Sequence, residues 1–323
     1  MGKTFKILSI DGGGIKGLYS ARILQEFEEI SGLKVKDCFN MICGTSTGGI
    51  IALALSIGKS ASEIVNFYKK YGEIIFPCKN KLSYFLSFFF KQLLIGGKYN
   101  DKGLYLALND VFGSYRIQDS ETFLCIPSYN LNLGRPRVFK KDHHNLNLDN
   151  NYSMVNVALA TSAAPTYFPI ADFDNQYFVD GGVWANNPAL CGYIEAKKYF
   201  LNDEDGFDKI ELLSVSSITT KSGWERSKIR HRSILFWSNK LFELPMNSQS
   251  HFTDYFLQNL GDKQMQYKRL PSFENLSCKQ EQQIKLDFAP LNSLQLIETL
   301  GKDVGSRFSK NKEFLKFFKH KEN

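Results

Sequence analysis

The amino-acid sequence predicts an α/β protein. That expectation rests on two strand–turn–helix units near the start, on glycines concentrated where strand should pass into helix, and on apolar segments of strand length further along. Lys6 to Ile10 reads as a short apolar strand, Asp11 to Gly17 as a glycine-rich turn, and Leu18 to Ile30 as a helix. Ile23, Phe27 and Ile30 fall at i, i+4 and i+7 of that helix, so all three should face a core. The second unit runs Phe39 to Cys43 as strand, Gly44 to Gly48 as turn, and Gly49 to Ile57 as a helix apolar on every side and therefore buried.

Further elements follow in order. Ser60-Ala-Ser-Glu63 has capping-box spacing and opens a helix that carries Ile64, Val65 and Tyr68 inward. Glu121 to Tyr129 reads as a strand, and Met154 to Ser162 as a small-residue helix entering Ala163-Ala-Pro165. Phe173 to Tyr177 has the composition of a hairpin turn leading into a strand, Tyr177 to Val179, that ends at Asp180-Gly-Gly182. Asn187 and Pro188 supply a cap and a first-turn proline for the next helix. Ile210 to Val215 is a further core strand, after which the sequence to about Asn275 is polar and aromatic with weak periodicity and implies no definite element.

A chain of 323 residues can bury a substantial core, and no Pro/Ser-rich linker divides it. We expect a catalytic core over 1–217 and an extension over 218–323 that packs on it in one continuous domain. With 43% hydrophobic and 23% charged residues the chain should fold. The amino terminus runs straight into strand, leaving no signal-peptide apolar region, and the six cysteines form no Cys-x-x-Cys pair, so the expected setting is a reducing cytoplasm. The longest apolar run, Leu82 to Phe90, falls well short of the ~20 residues a bilayer-spanning helix needs. A net charge of +7 favours anionic partners without choosing among lipid surface, nucleotide and nucleic acid.

Three glycine-bearing sites carry chemistry. Gly44-Thr-Ser46-Thr-Gly48 is a Gly-x-Ser-x-Gly sequence on a strand-to-helix turn, a setting that exposes a strained serine hydroxyl beside a helix N-terminus. Asp11-Gly12-Gly13-Gly14-Ile15-Lys16-Gly17 admits two functional readings beside that of a plain strand-to-helix turn with no ligand. Its Gly12, Gly14 and Gly17 satisfy the dinucleotide fingerprint, which would need an acidic residue at the end of a second strand; Asp37 stands in the right place, but Leu33 to Asp37 makes a poor buried strand. Alternatively, its amides form a nest for the oxyanion of a tetrahedral intermediate, with Lys16 adding positive potential. Asp180-Gly181-Gly182 offers an aspartate at a strand end as a base for the serine. The histidines point away from an α/β-hydrolase triad: His143 and His144 precede Asp180 in a polar stretch, and His231, His251 and His320 occupy no recognisable strand-end loop.

Taken together, Asp11 to Gly17, Gly44 to Gly48, Ala160-Thr-Ser-Ala-Ala-Pro165 and Asp180 to Gly182 resemble the four ordered motif blocks of patatin-like phospholipases. The resemblance covers Lys6 to about Val215. It implies a three-layer α/β/α fold with a mostly parallel central sheet, and acyl ester hydrolysis by a Ser-Asp dyad without metal or other cofactor. Ser46 would be the nucleophile, Asp180 the base, and the amides of Gly12, Gly13 and Gly14 the oxyanion hole, with Lys16, Gly17, Gly44, Gly48, Gly181 and Gly182 in support. Ala163 to Pro165 would shape the floor, and Ser162 lacks an elbow.

Compact bacterial members include antiphage effectors switched on by cyclic oligonucleotides, which this chain resembles in its early blocks. The expected partners are a phospholipid membrane surface, a cyclic di- or trinucleotide activator, and further copies of the chain in a homodimer or higher oligomer, with no stable nucleic acid partner. The enzyme would be cytoplasmic and associate peripherally with membrane when active. Trp224, Arg226, Arg230 and Arg232 form a basic aromatic cluster that reads either as a solvated loop or as an anion pocket. Phe85, Phe88, Phe89 and Phe90 among Lys79, Lys81, Lys91 and Lys98 read either as an interfacial patch or as a lid packed on the core. Phe314, Leu315, Phe317 and Phe318 among lysines could dock on a membrane or pack on their own domain. Two competing classes stay open: a nucleotide-binding, NAD-type protein and a noncatalytic lipid-binding module. A constitutive, non-specific lipid acyl hydrolase is a third alternative.

Overall fold

The computed structural model describes residues 2–77, 98–201, 206–219, 237, 240–273 and 275–322. One sheet organises them. Its strands are β1 (Lys3–Ile10), β2 (Met41–Gly44), β3 (Phe123–Asn130), β4 (Arg135–Lys140), β5 (Ala171–Phe173), β6 (Gln176–Asp180), β7 (Phe207–Val215) and β8 (Met265–Leu270). They lie in the order β5-β6-β3-β2-β1-β7-β8, with β4 also paired to β3. The run β3-β2-β1-β7-β8 is parallel, whereas β4 and β6 meet β3 antiparallel.

The longer helices are α1 (Gly17–Ser31), α2 (Thr47–Ser56), α3 (Ala61–Ile75), α4 (Lys102–Phe112), α5 (Met154–Ser162), α6 (Ala189–Tyr199), α7 (Lys240–Asn259) and α8 (Leu291–Phe308). They cover both faces of the sheet. Side chains of β1 alternate accordingly: Leu8 and Ile10 enter the core that holds α1, α2 and α5, while Phe5 and Ile7 enter the one that holds α6. The three-layer α/β/α arrangement expected of the chain is the one found.

Register decides where the chemistry goes. Ile10 lies opposite Gly44 on one side and Val215 on the other, so β1, β2 and β7 finish level. The Asp11 turn and the Ser46 turn therefore leave the same sheet edge, the carboxyl end where ligands collect in open α/β sheets. β6 brings in the Asp180 block from the opposite direction, with Asp180 opposite Ser128. The β5–β6 hairpin turns on Asp174 and Asn175, both with positive φ (54° and 53°), as a two-residue turn of this kind requires.

Most sequence-predicted elements are present within a residue or two. The capping box of α3 forms, with Ser60 accepting from the Glu63 amide, and Ile64, Val65 and Tyr68 are buried. Ahead of α6 the chain shifts by one from expectation: Pro188 holds the cap position, and Asn187, just before it, accepts from the Ala189 amide at 3.0 Å. Ile30 departs from expectation: it is 43% exposed. α8 crosses α1 beside Tyr19, Ile23 and Glu26, where Gly301 and Gly305 permit close approach, and the last turn of α1 runs beyond that crossing.

The stretch with no legible architecture contains α7, which carries Pro245 inside it, and β8, which extends the sheet beyond β7. The C-terminal aromatics pack on their own domain: Phe314, Phe317 and Phe318 are buried, and Phe318 stacks on Phe27 with ring centroids 4.4 Å apart. Phe85, Phe88, Phe89 and Phe90 lie outside the described residues. Of the neighbouring lysines, Lys98 is described and forms an ion pair with Asp287. Among the described residues no helix is long and apolar enough to cross a membrane.

Candidate active site

Ser46 sits between the end of β2 and the start of α2 with φ 55° and ψ −125°, a conformation that costs a non-glycine residue about 1–3 kcal/mol. The surroundings hold it there. A Cβ on Gly44 would overlap the Gly48 carbonyl, and one on Gly48 would overlap the Ile10 carbonyl, so the turn closes this tightly only with glycine at both positions. The Ser46 amide donates to Thr161 Oγ1 at 3.0 Å, and that hydroxyl donates in turn to the Pro127 carbonyl at 2.5 Å. Ser46 occupies the cap position of α2, so the helix presents its positive end to the hydroxyl.

Asp180 is 1% exposed. Its Oδ1 accepts from the Gly182 amide at 2.7 Å, whereas its buried Oδ2 has no hydrogen-bond partner among the described residues. Burial pushes the carboxyl up to about 7, against the opposing pull of the Ser46 hydroxyl and the Gly182 amide. The end of α5 holds both groups: the Asp180 amide donates to the Ala163 carbonyl at 3.0 Å, and the Gly181 amide to the Thr161 carbonyl at 3.2 Å. The Ala160–Pro165 block thus fixes Ser46 and Asp180 relative to each other. Ser162 turns its hydroxyl back onto the Ala158 carbonyl.

The glycine-rich turn divides its amides. Gly12 does not fit the oxyanion role expected of it, because its N–H is committed to the Asn186 carbonyl at 3.0 Å. The amides of Gly13 and Gly14 donate to no described residue, and Gly14 has φ +59°, where any side chain would be strained. The turn is anchored behind by the Ile15 amide on the Leu286 carbonyl (2.9 Å) and in front by Asp11. Arg269 of β8 grips Asp11 through both nitrogens, at 3.2 and 2.5 Å. Gly17 begins α1 against Tyr68. The strand that a dinucleotide site would need before Asp37 is missing, since Val35–Cys38 is a helical turn.

Comparisons with known proteins identify the family. The family profile described as patatin-like phospholipase matches residues 8–190, more than half of the chain. The chain belongs to the patatin-like phospholipase family. It is 33% identical over 265 residues to a cGAMP-activated phospholipase of Pseudomonas aeruginosa, covering 81% of this chain and 78% of that protein. It is 32% identical to a cGAMP-activated phospholipase of Vibrio cholerae, over 97% of this chain and 94% of the other. Patatin-like protein 2 of rice is 32% identical over 64% of this chain and 56% of its own length. Membership makes the chain a lipid-hydrolysing enzyme.

Two cavities flank the glycine-rich turn of this patatin-like phospholipase. Ser46, Asp180 and Gly14 line an apolar one walled by Ile50, Phe67, Phe76 and Phe168 and closed by Phe242 and Met246 of α7; its volume is ≈ 50 Å³. Drug-sized ligand pockets run to roughly 300–1,000 Å³, so this one admits an acyl chain only after its walls part. The second, of ≈ 640 Å³, lies on the other side of the turn and is polar. Lys16 faces this second cavity, and burial pulls its ammonium down from the ordinary lysine value while Glu243 opposes that shift. No described histidine lines the apolar cavity; His143 is instead bonded to Glu195 at 3.0 Å.

Trp224, Arg226, Arg230 and Arg232 lie outside the described residues. Sequence reasoning missed Thr161, Asn186, Met246 and Arg269. Thr161 stood within a recognised block, and only the fold shows its hydroxyl reaching Ser46. The other three act across chain separations that no local pattern signals.

Proposed function

We propose that this protein is a serine acyl hydrolase that cleaves acyl esters of membrane phospholipids through Ser46 and Asp180. The observation that carries the proposal is the pairing of a strained, helix-capping serine with a buried carboxylate whose Oδ2 is unpartnered, both lining one apolar cavity. Asp180 takes the Ser46 proton as Oγ attacks the ester carbonyl, and the Gly13 and Gly14 amides with the α2 N-terminus stabilise the tetrahedral oxyanion. Collapse breaks the ester C–O bond, and the departing lysolipid alkoxide takes the proton back from Asp180. Water then attacks the acyl-enzyme, Asp180 receives its proton, and the fatty acid leaves as Ser46 is reprotonated.

The reading extends to control. The relatives named cGAMP-activated phospholipase align over most of the chain, and the apolar cavity is too small for an acyl chain. Both support an enzyme held closed until a cyclic oligonucleotide opens it, with cytoplasmic residence, peripheral attack on membrane lipid and a role in antiphage defence. The test is a lipid-product assay with fluorophosphonate labelling on wild type, Ser46→Ala and Asp180→Asn, each with and without cyclic GMP–AMP. Fatty acid release and labelling by wild type alone, increased by the nucleotide, is the expected result. Undiminished release by Ser46→Ala overturns the assignment of the nucleophile, and indifference of wild type to every cyclic nucleotide leaves a constitutive acyl hydrolase.

A further inference from the structure

Helix α7 stands between the two cavities. Phe242 and Met246 close the apolar one, whereas Glu243, Asn247, Ser250 and Asp254, recurring at helical spacing, wall the polar one; Met246 touches both. Neither Ser46 nor Asp180 lines the polar cavity, so it is not the path of the acyl chain.

Its lining has the properties of a built site. Ser216 Oγ, Ser217 Oγ and Asn186 Oδ1 are buried there without hydrogen-bond partners among the described residues, in residues 3%, 5% and 4% exposed. The Lys16 ammonium, in a residue 8% exposed, makes no hydrogen bond or ion pair to a described residue, while Arg269 is already engaged by Asp11 and Ser214. Buried polar groups left unsatisfied are costly, so a polar occupant that draws these side chains toward it would gain hydrogen bonds. A volume of ≈ 640 Å³ suits an organic molecule of nucleotide size rather than a lone inorganic anion. The chemistry is divided along the wall: a buried ammonium for a phosphodiester, serine hydroxyls for sugar and phosphate oxygens, and the carboxylates of Glu243 and Asp254 for base-edge N–H donors.

We propose that this polar cavity is the activator site, that it takes a cyclic dinucleotide, and that its occupancy shifts α7 so that Phe242 and Met246 withdraw from the apolar cavity. The inference rests on the nucleotide-activated reading given above. The connection is mechanical. Asn186 donates from Nδ2 to Ser250 Oγ at 2.9 Å, and the Asn187 amide donates to Gln249 Oε1 at 2.8 Å, so α7 is latched to the segment that follows Asp180. The same Asn186 carbonyl receives the Gly12 amide. A ligand that competes for Asn186 and Ser250 loosens the latch where it bears on the glycine-rich turn.

The experiment titrates cyclic GMP–AMP, cyclic di-GMP and cyclic di-AMP into the full chain carrying Ser46→Ala, read by calorimetry and by the shift in melting temperature. Asn247→Trp, which fills the cavity, and the milder Glu243→Gln are then added in the same background, each accepted only if it shows a cooperative melting transition. In parallel, fluorophosphonate labelling of Ser46 is timed with and without nucleotide in chains that keep the serine. The expected result is binding of at least one nucleotide, faster labelling, and a loss of affinity of about tenfold or more in both cavity variants. Nucleotide binding and faster labelling that both variants retain unchanged place the activator elsewhere and overturn the cavity assignment alone. A panel that neither binds nor accelerates labelling overturns the activation reading and the cavity assignment with it.

Discussion

The two cavities on either side of the glycine-rich turn differ in every respect that matters for chemistry. One is ≈ 50 Å³, apolar, and holds Ser46 and Asp180; the other is ≈ 640 Å³ and polar, and is lined by neither of them. The first is walled largely by residues within the family match, 8–190, and the second largely by residues from Ser216 onward. The difference teaches that catalytic parts and volume need not coincide: the roomier of the two cavities lies beside the reacting groups, and the chemistry is in the small one. α7 contributes to both walls, so a change on one side is felt on the other.

The comparison is broken most sharply by Asp180→Asn. It removes the base from the apolar cavity and touches nothing in the polar one, so hydrolysis should fall by about 10⁴-fold while any nucleotide-induced melting shift persists. A variant that keeps hydrolysis moves the base elsewhere. Gly14→Ala comes next. Its Cβ would overlap the Leu286 carbonyl at a positive φ, misdirecting one of the two free amides, and kcat should drop about 10²–10³-fold. Steady-state kinetics on a soluble ester check this, and an unchanged kcat would remove Gly14 from the oxyanion site.

How much of this was legible in the sequence depends on distance along the chain. Gly44 announces its turn because its constraint is local, its Cβ meeting Gly48 within the same five residues, whereas the space Gly48 must leave is claimed by the Ile10 carbonyl of β1 and is legible only through the motif. The α3 capping box is local in the way Gly44 is. Ile30 was misjudged because periodicity says which way a residue points and not whether a neighbour reaches that far. α7 and β8 were unread because their apolar residues are sparse and Pro245 interrupts the helical pattern, while their stability comes from β7 and the Asn186 segment. Gly12 was misassigned for a related reason, since the carbonyl that claims its amide is 174 positions away at Asn186.

A smaller effect follows from pH. Asp180 acts as a base only when ionised, and burial raises its carboxyl to about 7. Below that value kcat/KM should therefore fall about tenfold per pH unit, with a plateau above it. The linked stability effect has the opposite sense: the unfolded chain releases this proton near 3.8, so Asp180's contribution to stability declines as pH rises from there to about 7 and stays low above. Asp180→Asn should accordingly melt higher than wild type at pH 8. A pH–rate profile flat between pH 5 and pH 8 removes Asp180 as the base.

The smallest expected effect tests the shared wall itself. Met246 is 4% exposed and lines both cavities, so Met246→Ala enlarges the closed apolar pocket from the side that α7 controls. Truncating a buried methionine costs about 2–5 kcal/mol, and the melting temperature must fall. If Met246 merely fills space, lower stability is the only result, and Ser46 labels no faster. If it holds the pocket shut, basal fluorophosphonate labelling should rise about threefold, and the stimulation left for a nucleotide should shrink by the same factor, because part of the closed population has already been released. The two changes are linked by one equilibrium. Faster labelling with undiminished stimulation would therefore sever α7 from activation and leave the cavities as independent features of one fold.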